Sequence, residues 1–165
     1  MLEGGDGLMS DDKQTKKNPT MVLVSACLLG VACRYDGESK PNERILSYNR
    51  QFSFIPFCPE TYGGLTTPRV PAEIQPDGRV VNAEGEDVSA AYQTGAEQAV
   101  TLCRDFRIRY AILKSRSPAC GPENSYDGTF THTLIQRPGC AAKALMDAGV
   151  TVFSDEEFDD TSINE

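Results

Sequence analysis

The chain has 165 residues, of which 39% are hydrophobic, so its length suits one domain with an ordinary core. Its net charge of −8 is concentrated at one end: residues 154–165 carry six acids and no base, whereas 21–153 are nearly neutral, which excludes a broad basic face for a long nucleic acid. No apolar run is long enough to span a membrane, and the first twenty residues lack the apolar core of a signal peptide, so we expect a cytoplasmic protein without a membrane partner.

The two ends differ in composition from the body of the chain. Residues 1–19 are polar and rich in Gly, Asp and Lys, which predicts a disordered N-terminal segment. Residues 155–165 form an acidic tail that we expect to be solvated. One α/β domain is therefore predicted over residues 20–154.

Four short segments have the composition of β-strands: 21–25, 52–57, 110–114 and 150–153. The first, third and fourth are almost continuously apolar, as is typical of strands buried in a parallel sheet. The second contains Pro56, which suits the end of a strand or an edge position.

Helical patterns alternate with these strands. Residues 42–50 and 139–148 are predicted helices, and 87–107 shows the clearest apolar face, with Asp87 as its expected N-cap. Residues 72–82 resemble a small hairpin. The pattern predicts an α/β fold: a single compact Rossmann-like domain with a mostly parallel sheet of about four strands, helices on both faces and a small hairpin.

A cysteine follows each of the first three predicted strands, namely Cys27, Cys58 and Cys120. In open α/β sheets, ligands bind outside the carboxyl ends of the strands, so these thiols are expected to share one rim. In a reducing compartment such a group is more typical of a metal or catalytic site than of disulfides. Three protein ligands leave one position open, either on a zinc ion or on one iron of a four-iron cluster.

The other three cysteines have weaker indications of function. Cys103 lies on the apolar face of the long helix and is predicted to be core. Cys140 opens a helix, where either core packing or reactivity is possible. Cys33, six residues after Cys27, is either a further ligand or a neighbour of the site.

Polar residues near these cysteines are candidates for catalysis. Glu60 lies two residues after Cys58 and has the chemistry of a general base, with Glu73 as the alternative. Ser117 lies three residues before Cys120, in a loop that presents its hydroxyl to the same rim.

The remaining candidates lie in loops. Ion pairing is expected for at least one of the arginines Arg34, Arg69 and Arg116. The polar loop 124–133 is predicted to form a lid or wall of the site. It contains His132, the only histidine, which we expect to be non-catalytic.

Five motifs, in order, closely resemble the thiouracil desulfidase (TudS-like) family: VSACLLGVACRYDG, FCPETYGGLTTPRVPAEI, GEDVSAAYQTGA, AILKSRSPACG and YDGTF. The resemblance covers residues 21–153. It implies a [4Fe–4S] cluster held by Cys27, Cys58 and Cys120 only, which purification in air can remove. It also implies non-redox hydrolysis of a thiolated pyrimidine at the open iron, with Glu60 and Ser117 in catalysis.

The expected partners are a thiolated free base or nucleoside and, transiently, the cluster-assembly machinery. Thiolated tRNA is less favoured because the chain is acidic. Two other functions remain open: a cysteine- or zinc-dependent hydrolase, and a non-enzymatic cluster protein acting as a sulfur carrier or redox sensor.

Overall fold

The computed structural model describes residues 18–164, so the predicted disorder of residues 1–19 falls almost wholly outside the described residues. At the centre of the described residues is a four-stranded, all-parallel sheet of β1 (Thr20–Ser25), β2 (Phe52–Phe57), β5 (Tyr110–Leu113) and β8 (Thr151–Ser154). The strands lie in the order β2-β1-β5-β8. The predicted parallel α/β sheet is confirmed.

Two small antiparallel pairs accompany the sheet. The predicted hairpin consists of β3 (Ala72–Ile74) and β4 (Val80–Asn82). A second pair, β6 (Ser125–Tyr126) and β7 (Leu134–Ile135), brackets most of the predicted lid loop and was not anticipated.

In the part of the chain that the structure describes, four α-helices connect the strands: α1 (Glu43–Leu46), α2 (Pro59–Tyr62), α3 (Ser89–Asp105) and α4 (Cys140–Asp147). The last two agree with prediction to within two residues at each end. The helix expected over 42–50 is only the single turn α1, because residues 47–51 continue as turns. Asp87 is not the N-cap of α3, which is Val88, but the Asp87 carboxylate still accepts a hydrogen bond from the Ser89 amide at 2.9 Å. No helix among residues 18–164 is long and apolar enough to cross a membrane.

Each face of the sheet has its own core. On one face α3 and α4 pack together, and their Tyr92, Ala99, Cys103 and Leu145 join Leu23 and Ala111 of the strands. The other face packs against residues that come from α1 and from the C-terminal segment, including Ile45, Phe158 and Ile163.

The acidic tail is not simply solvated, contrary to our expectation. Phe158 is fully buried and Ile163 is 7% exposed. Arg44 of α1 donates hydrogen bonds to the carbonyl oxygens of Phe158 and, at 2.7 Å, Asp155. The few apolar residues of the tail therefore cover a sheet face that α1 is too short to cover alone.

Two glycines allow α2 to approach α3 closely. A Cβ atom placed on Gly95 would lie 2.0 Å from the Pro59 carbonyl oxygen, and one on Gly63 would lie 2.0 Å from that of Ala91. No larger side chain fits at either position unless the helices separate. This contact fixes α2 at the carboxyl end of β2.

Candidate active site

A cavity of about 340 Å³ opens at the carboxyl ends of β1, β2 and β5. All three predicted ligands, Cys27, Cys58 and Cys120, line it, together with Glu60 and Ser117. The strands bring these residues together because their ends are level: Ser25 pairs with Phe57, and Val24 pairs with Ile112. The structure thus places the three predicted ligands and the two predicted catalytic residues at one cavity, whereas the alternative base Glu73 does not line it.

Each strand delivers its cysteine through a different local structure. Cys27 lies in a 3-10 turn, Ala26–Leu29, which ends at Gly30 with a φ of 96°, a conformation that favours glycine. Cys58 is the N-cap residue of α2. Cys120 lies in the loop after β5, where the Ser117 hydroxyl accepts hydrogen bonds from the amides of Ala119 (3.1 Å) and Cys120 (3.0 Å).

A fourth thiol, Cys33, lies in the same cavity wall and is 7% exposed. A hydrogen bond with Cys27 raises the pKa of the Cys33 thiol, and a hydrogen bond with Cys33 is the largest cause of the raised pKa of Cys58. Cys33 is therefore a neighbour of both Cys27 and Cys58, and the Cys58 thiol also donates a hydrogen bond to the Cys33 carbonyl oxygen at 3.8 Å. The sequence predicted Cys33 to be either a further ligand or a neighbour of the site, and the structure places it in the cavity wall.

Cys120 reaches the same cavity from the end of β5, which lies on the other side of β1 from β2 and Cys58. Burial raises the pKa of its thiol above the usual range, and the charges of Cys58 and Glu60 act in the same direction. The hydroxyl groups of Ser25 and Ser117 form hydrogen bonds with it and act in the opposite direction. The two serines therefore supply the donors that a Cys120 thiolate needs in a buried position.

Glu60 is held by two buried donors. Its Oε2 atom accepts a hydrogen bond from Arg69 Nε at 2.9 Å and another from the Tyr92 hydroxyl at 2.7 Å. Burial, followed by the charge of Glu60, raises the pKa of Tyr92 above its usual range, so this hydroxyl remains protonated. Tyr92 lies on the predicted apolar face of the long helix, a pattern that does not indicate a contact with Glu60, 32 residues away in the chain.

The alternative base, Glu73, does not line the cavity. It is 8% exposed, and its Oε1 atom accepts the backbone amides of Gly128 (3.0 Å) and Phe130 (3.1 Å). Glu73 therefore anchors the lid loop to β3. The lid itself borders the cavity through Tyr126 and His132, whose rings meet edge to face at 5.7 Å.

All three loop arginines line the cavity and form ion pairs, as was expected for at least one of them. Arg69 pairs with Glu60 at 2.9 Å, Arg34 with Asp36 at 3.5 Å, and Arg116 with Glu156 at 2.8 Å. Only the first pair is well buried, with side chains 7% and 15% exposed. The pairs on the rim are more exposed to solvent and should contribute little to stability.

The two remaining cysteines lie outside the cavity. Cys103 is 4% exposed in the core under α3, which confirms its predicted place. Cys140 is half-buried at the start of α4 and packs against the same core.

Within residues 18–164, no three His, Cys, Asp or Glu side chains are close enough together to chelate a single metal ion. The thiolate ligands of a four-iron cluster bind different irons and so stand farther apart than the ligands of one ion. The three predicted ligands around this cavity follow the ends of three different strands of one sheet.

Comparison with known proteins agrees with this geometry. Residues 22–157 match the family model of 2-thiouracil desulfurase. The chain is 37% identical over 149 residues to the uncharacterized protein YbbK of Bacillus subtilis, covering 85% of this chain and 99% of that protein. It is also similar to the solved structure of the [4Fe–4S]-dependent thiouracil desulfidase TudS, with 40% identity, a TM-score of 0.79, and coverage of 84% of this chain and 93% of that one.

Proposed function

The chain belongs to the 2-thiouracil desulfurase family, and from that premise we propose that it hydrolyses the C–S bond of thiolated pyrimidines with a [4Fe–4S] cluster bound in its cavity. One observation carries the proposal: thiols from three strand ends, two of them buried and that of Cys58 partly buried, line the same cavity as a carboxylate and a hydroxyl. The similar structure is of an enzyme that depends on such a cluster and acts on thiouracil.

The residues around the cavity fit a cluster with an open iron. Thiolates are the usual ligands of iron–sulfur clusters, and we assign Cys27, Cys58 and Cys120 as the three that hold it. The raised thiol pKa values of Cys58 and Cys120 are no obstacle, because a coordinated thiol loses its proton to the metal. Cys33, which was predicted to be either a further ligand or a neighbour of the site, lies beside Cys27 and Cys58.

The bound cluster would supply a Lewis acid that polarises the C–S bond of the substrate. The protein supplies the proton chemistry. We assign Glu60 as the general base that takes a proton from the attacking water, because it is the carboxylate that lines the cavity beside these cysteines. Ser117 helps to hold that water. The water oxygen forms a bond to the ring carbon and the C–S bond breaks, so the products are the oxo-pyrimidine and hydrosulfide, and no electron donor is needed.

The size and lining of the cavity suit a small planar substrate. A volume of about 340 Å³ is in the range of small-molecule sites. Tyr35 and Tyr126 border it and offer aromatic faces for a pyrimidine ring. We therefore propose thiouracil or a thiolated nucleoside as substrate, ahead of thiolated tRNA.

The experiment that tests this function begins with anaerobic iron–sulfur reconstitution of the wild type, of Cys120→Ala and, as a matched control, of Cys103→Ala. Wild type and the Cys103 variant should each carry four irons per chain and release sulfide from 2- or 4-thiouracil. The Cys120 variant should lose both properties. A wild type that binds no cluster under conditions that load a known cluster protein would contradict the proposal and favour a thiol or zinc hydrolase. A cluster without sulfide release would favour a carrier or sensor.

A further inference from the structure

The carboxylate of Glu60 is bound through only one of its two oxygens. Both donors, Arg69 Nε and the Tyr92 hydroxyl, reach Oε2, at 2.9 and 2.7 Å. No protein donor reaches Oε1 in the part of the chain that the structure describes. Because Glu60 borders the cavity, Oε1 is the oxygen left to interact with a ligand there.

Each of these donors is fixed by the fold. Arg69 has a side chain only 7% exposed, and its Nη2 atom donates to the Cys33 carbonyl at 2.9 Å. Its Nη1 atom donates to Thr66 and Thr67, each at 3.3 Å. Every nitrogen of the guanidinium thus has a partner, and its planar fork is held in one orientation.

Tyr92 is fixed by packing instead. It is 2% exposed on α3 and belongs to the core beside Ala99 and Phe57. A buried tyrosine hydroxyl needs a hydrogen-bond partner, and Glu60 is the partner that this one has. The close contact between α2 and α3 at Gly63 and Gly95 keeps the hydroxyl and the carboxylate within reach.

We propose that Arg69 and Tyr92 are positioning residues, which hold Glu60 by one oxygen so that the other is presented to the water that attacks the substrate. This inference rests on the proposed function. Two charge-assisted hydrogen bonds fix the rotation of the carboxylate, which otherwise turns freely at its last torsion. A general base must lie in hydrogen-bond reach of the proton that it removes, so a freely turning carboxylate spends less time in a productive position.

The test compares Tyr92→Phe with wild type, both loaded anaerobically with the cluster and assayed with 2- and 4-thiouracil. The substitution removes one donor and keeps the ring in the core. We expect kcat to fall about tenfold, as for the loss of one charge-assisted hydrogen bond, while KM and iron content stay unchanged and the protein stays folded under assay conditions. Tyr48→Phe is the matched control, because this partly buried tyrosine packs on Phe158 in the other core, and it should behave as wild type.

Arg69 gives a second comparison through its conservative variant. Arg69→Lys keeps the charge near Glu60 but not the fork, so it should retain more of kcat than Arg69→Met does. Wild-type kcat in Tyr92→Phe overturns the inference, and so does an activity loss that merely follows a loss of iron or of stability.

A crystal structure of Tyr92→Phe separates this inference from the proposed function. We expect the Glu60 carboxylate to occupy a second orientation there, and a single orientation equal to that of wild type would overturn the positioning role. A loaded wild type that releases no sulfide from either thiouracil overturns the proposed function instead.

Discussion

At the residue scale, the cysteines show how the same side chain serves different ends. Cys120 is 5% exposed and Cys103 4% exposed, and burial is the first cause of the raised pKa in both. Only Cys120 has hydroxyl groups beside its sulfur and a cavity in front of it. We therefore expect the Cys103 thiol to be chemically unreactive. Its burial should affect only the free energy of unfolding.

The stability of the cluster-free protein should depend on Cys103 at alkaline pH. Burial raises the pKa of this thiol from 9.0 to about 11. Below pH 9 the thiol is protonated in both the folded and the unfolded states, so its contribution is complete. Between pH 9 and 11 the unfolded state loses the proton first, so this contribution, about 2–3 kcal/mol in all, is lost as the pH rises.

Urea unfolding of wild type and Cys103→Ala under reducing conditions at pH 8 and pH 10.5 measures this effect. The free energy of unfolding should fall less steeply with pH in the variant than in wild type. Equal pH dependence in the two proteins would show that the thiol ionises as readily in the folded chain as in the unfolded one.

At the element scale, the short helix α2 matters because it carries Glu60 directly after Cys58. Four residues do not form a stable helix alone. α2 stays in place because Pro59 opens it and because Gly63 and Gly95 let it pack against α3 without side chains between the backbones. The position of the candidate base is therefore set by a helix–helix contact as well as by its own strand.

Gly95→Ala should destabilise the protein although alanine is the better helix former by about 1 kcal/mol. The new Cβ atom would lie 2.0 Å from the Pro59 carbonyl oxygen, so α2 must move. We expect a loss of about 1–3 kcal/mol in the free energy of unfolding, together with reduced turnover because Glu60 moves with α2. Gln98→Ala, on the exposed side of the same helix, is the control. If Gly95→Ala is as stable as this control, the two helices are not in the contact described.

At the scale of the whole molecule, the two faces of the sheet are covered unequally. One face has α3 and α4, whereas the other depends on α1 and on the segment after β8. Phe158 makes edge-to-face contacts with Tyr48, Phe52 and Phe153, at centroid distances of 5.4 to 6.0 Å. The segment after β8, which was predicted to be a solvated acidic tail, thus contributes Phe158 to the core.

Phe158→Ala should lower the free energy of unfolding by about 3–5 kcal/mol, the usual cost of truncating a fully buried phenylalanine. Phe106→Ala is the matched control, because Phe106 is 59% exposed and should cost less than about 1 kcal/mol. Chemical denaturation of the cluster-free proteins measures both. A small and equal loss in the two variants would mean that the C-terminal segment does not pack on the sheet in solution.

The sequence by itself determined the sheet, the two long helices and the shared rim of Cys27, Cys58 and Cys120. Apolar periodicity reports local burial, and parallel strands must end at the same edge, so these features follow from short stretches of chain. The tertiary structure alone decided that Cys33 touches two of the proposed ligands, that Tyr92 reaches Glu60, and that Phe158 closes the second core. Each of these contacts joins residues without a common local pattern, because it arises only when separate elements pack against one another.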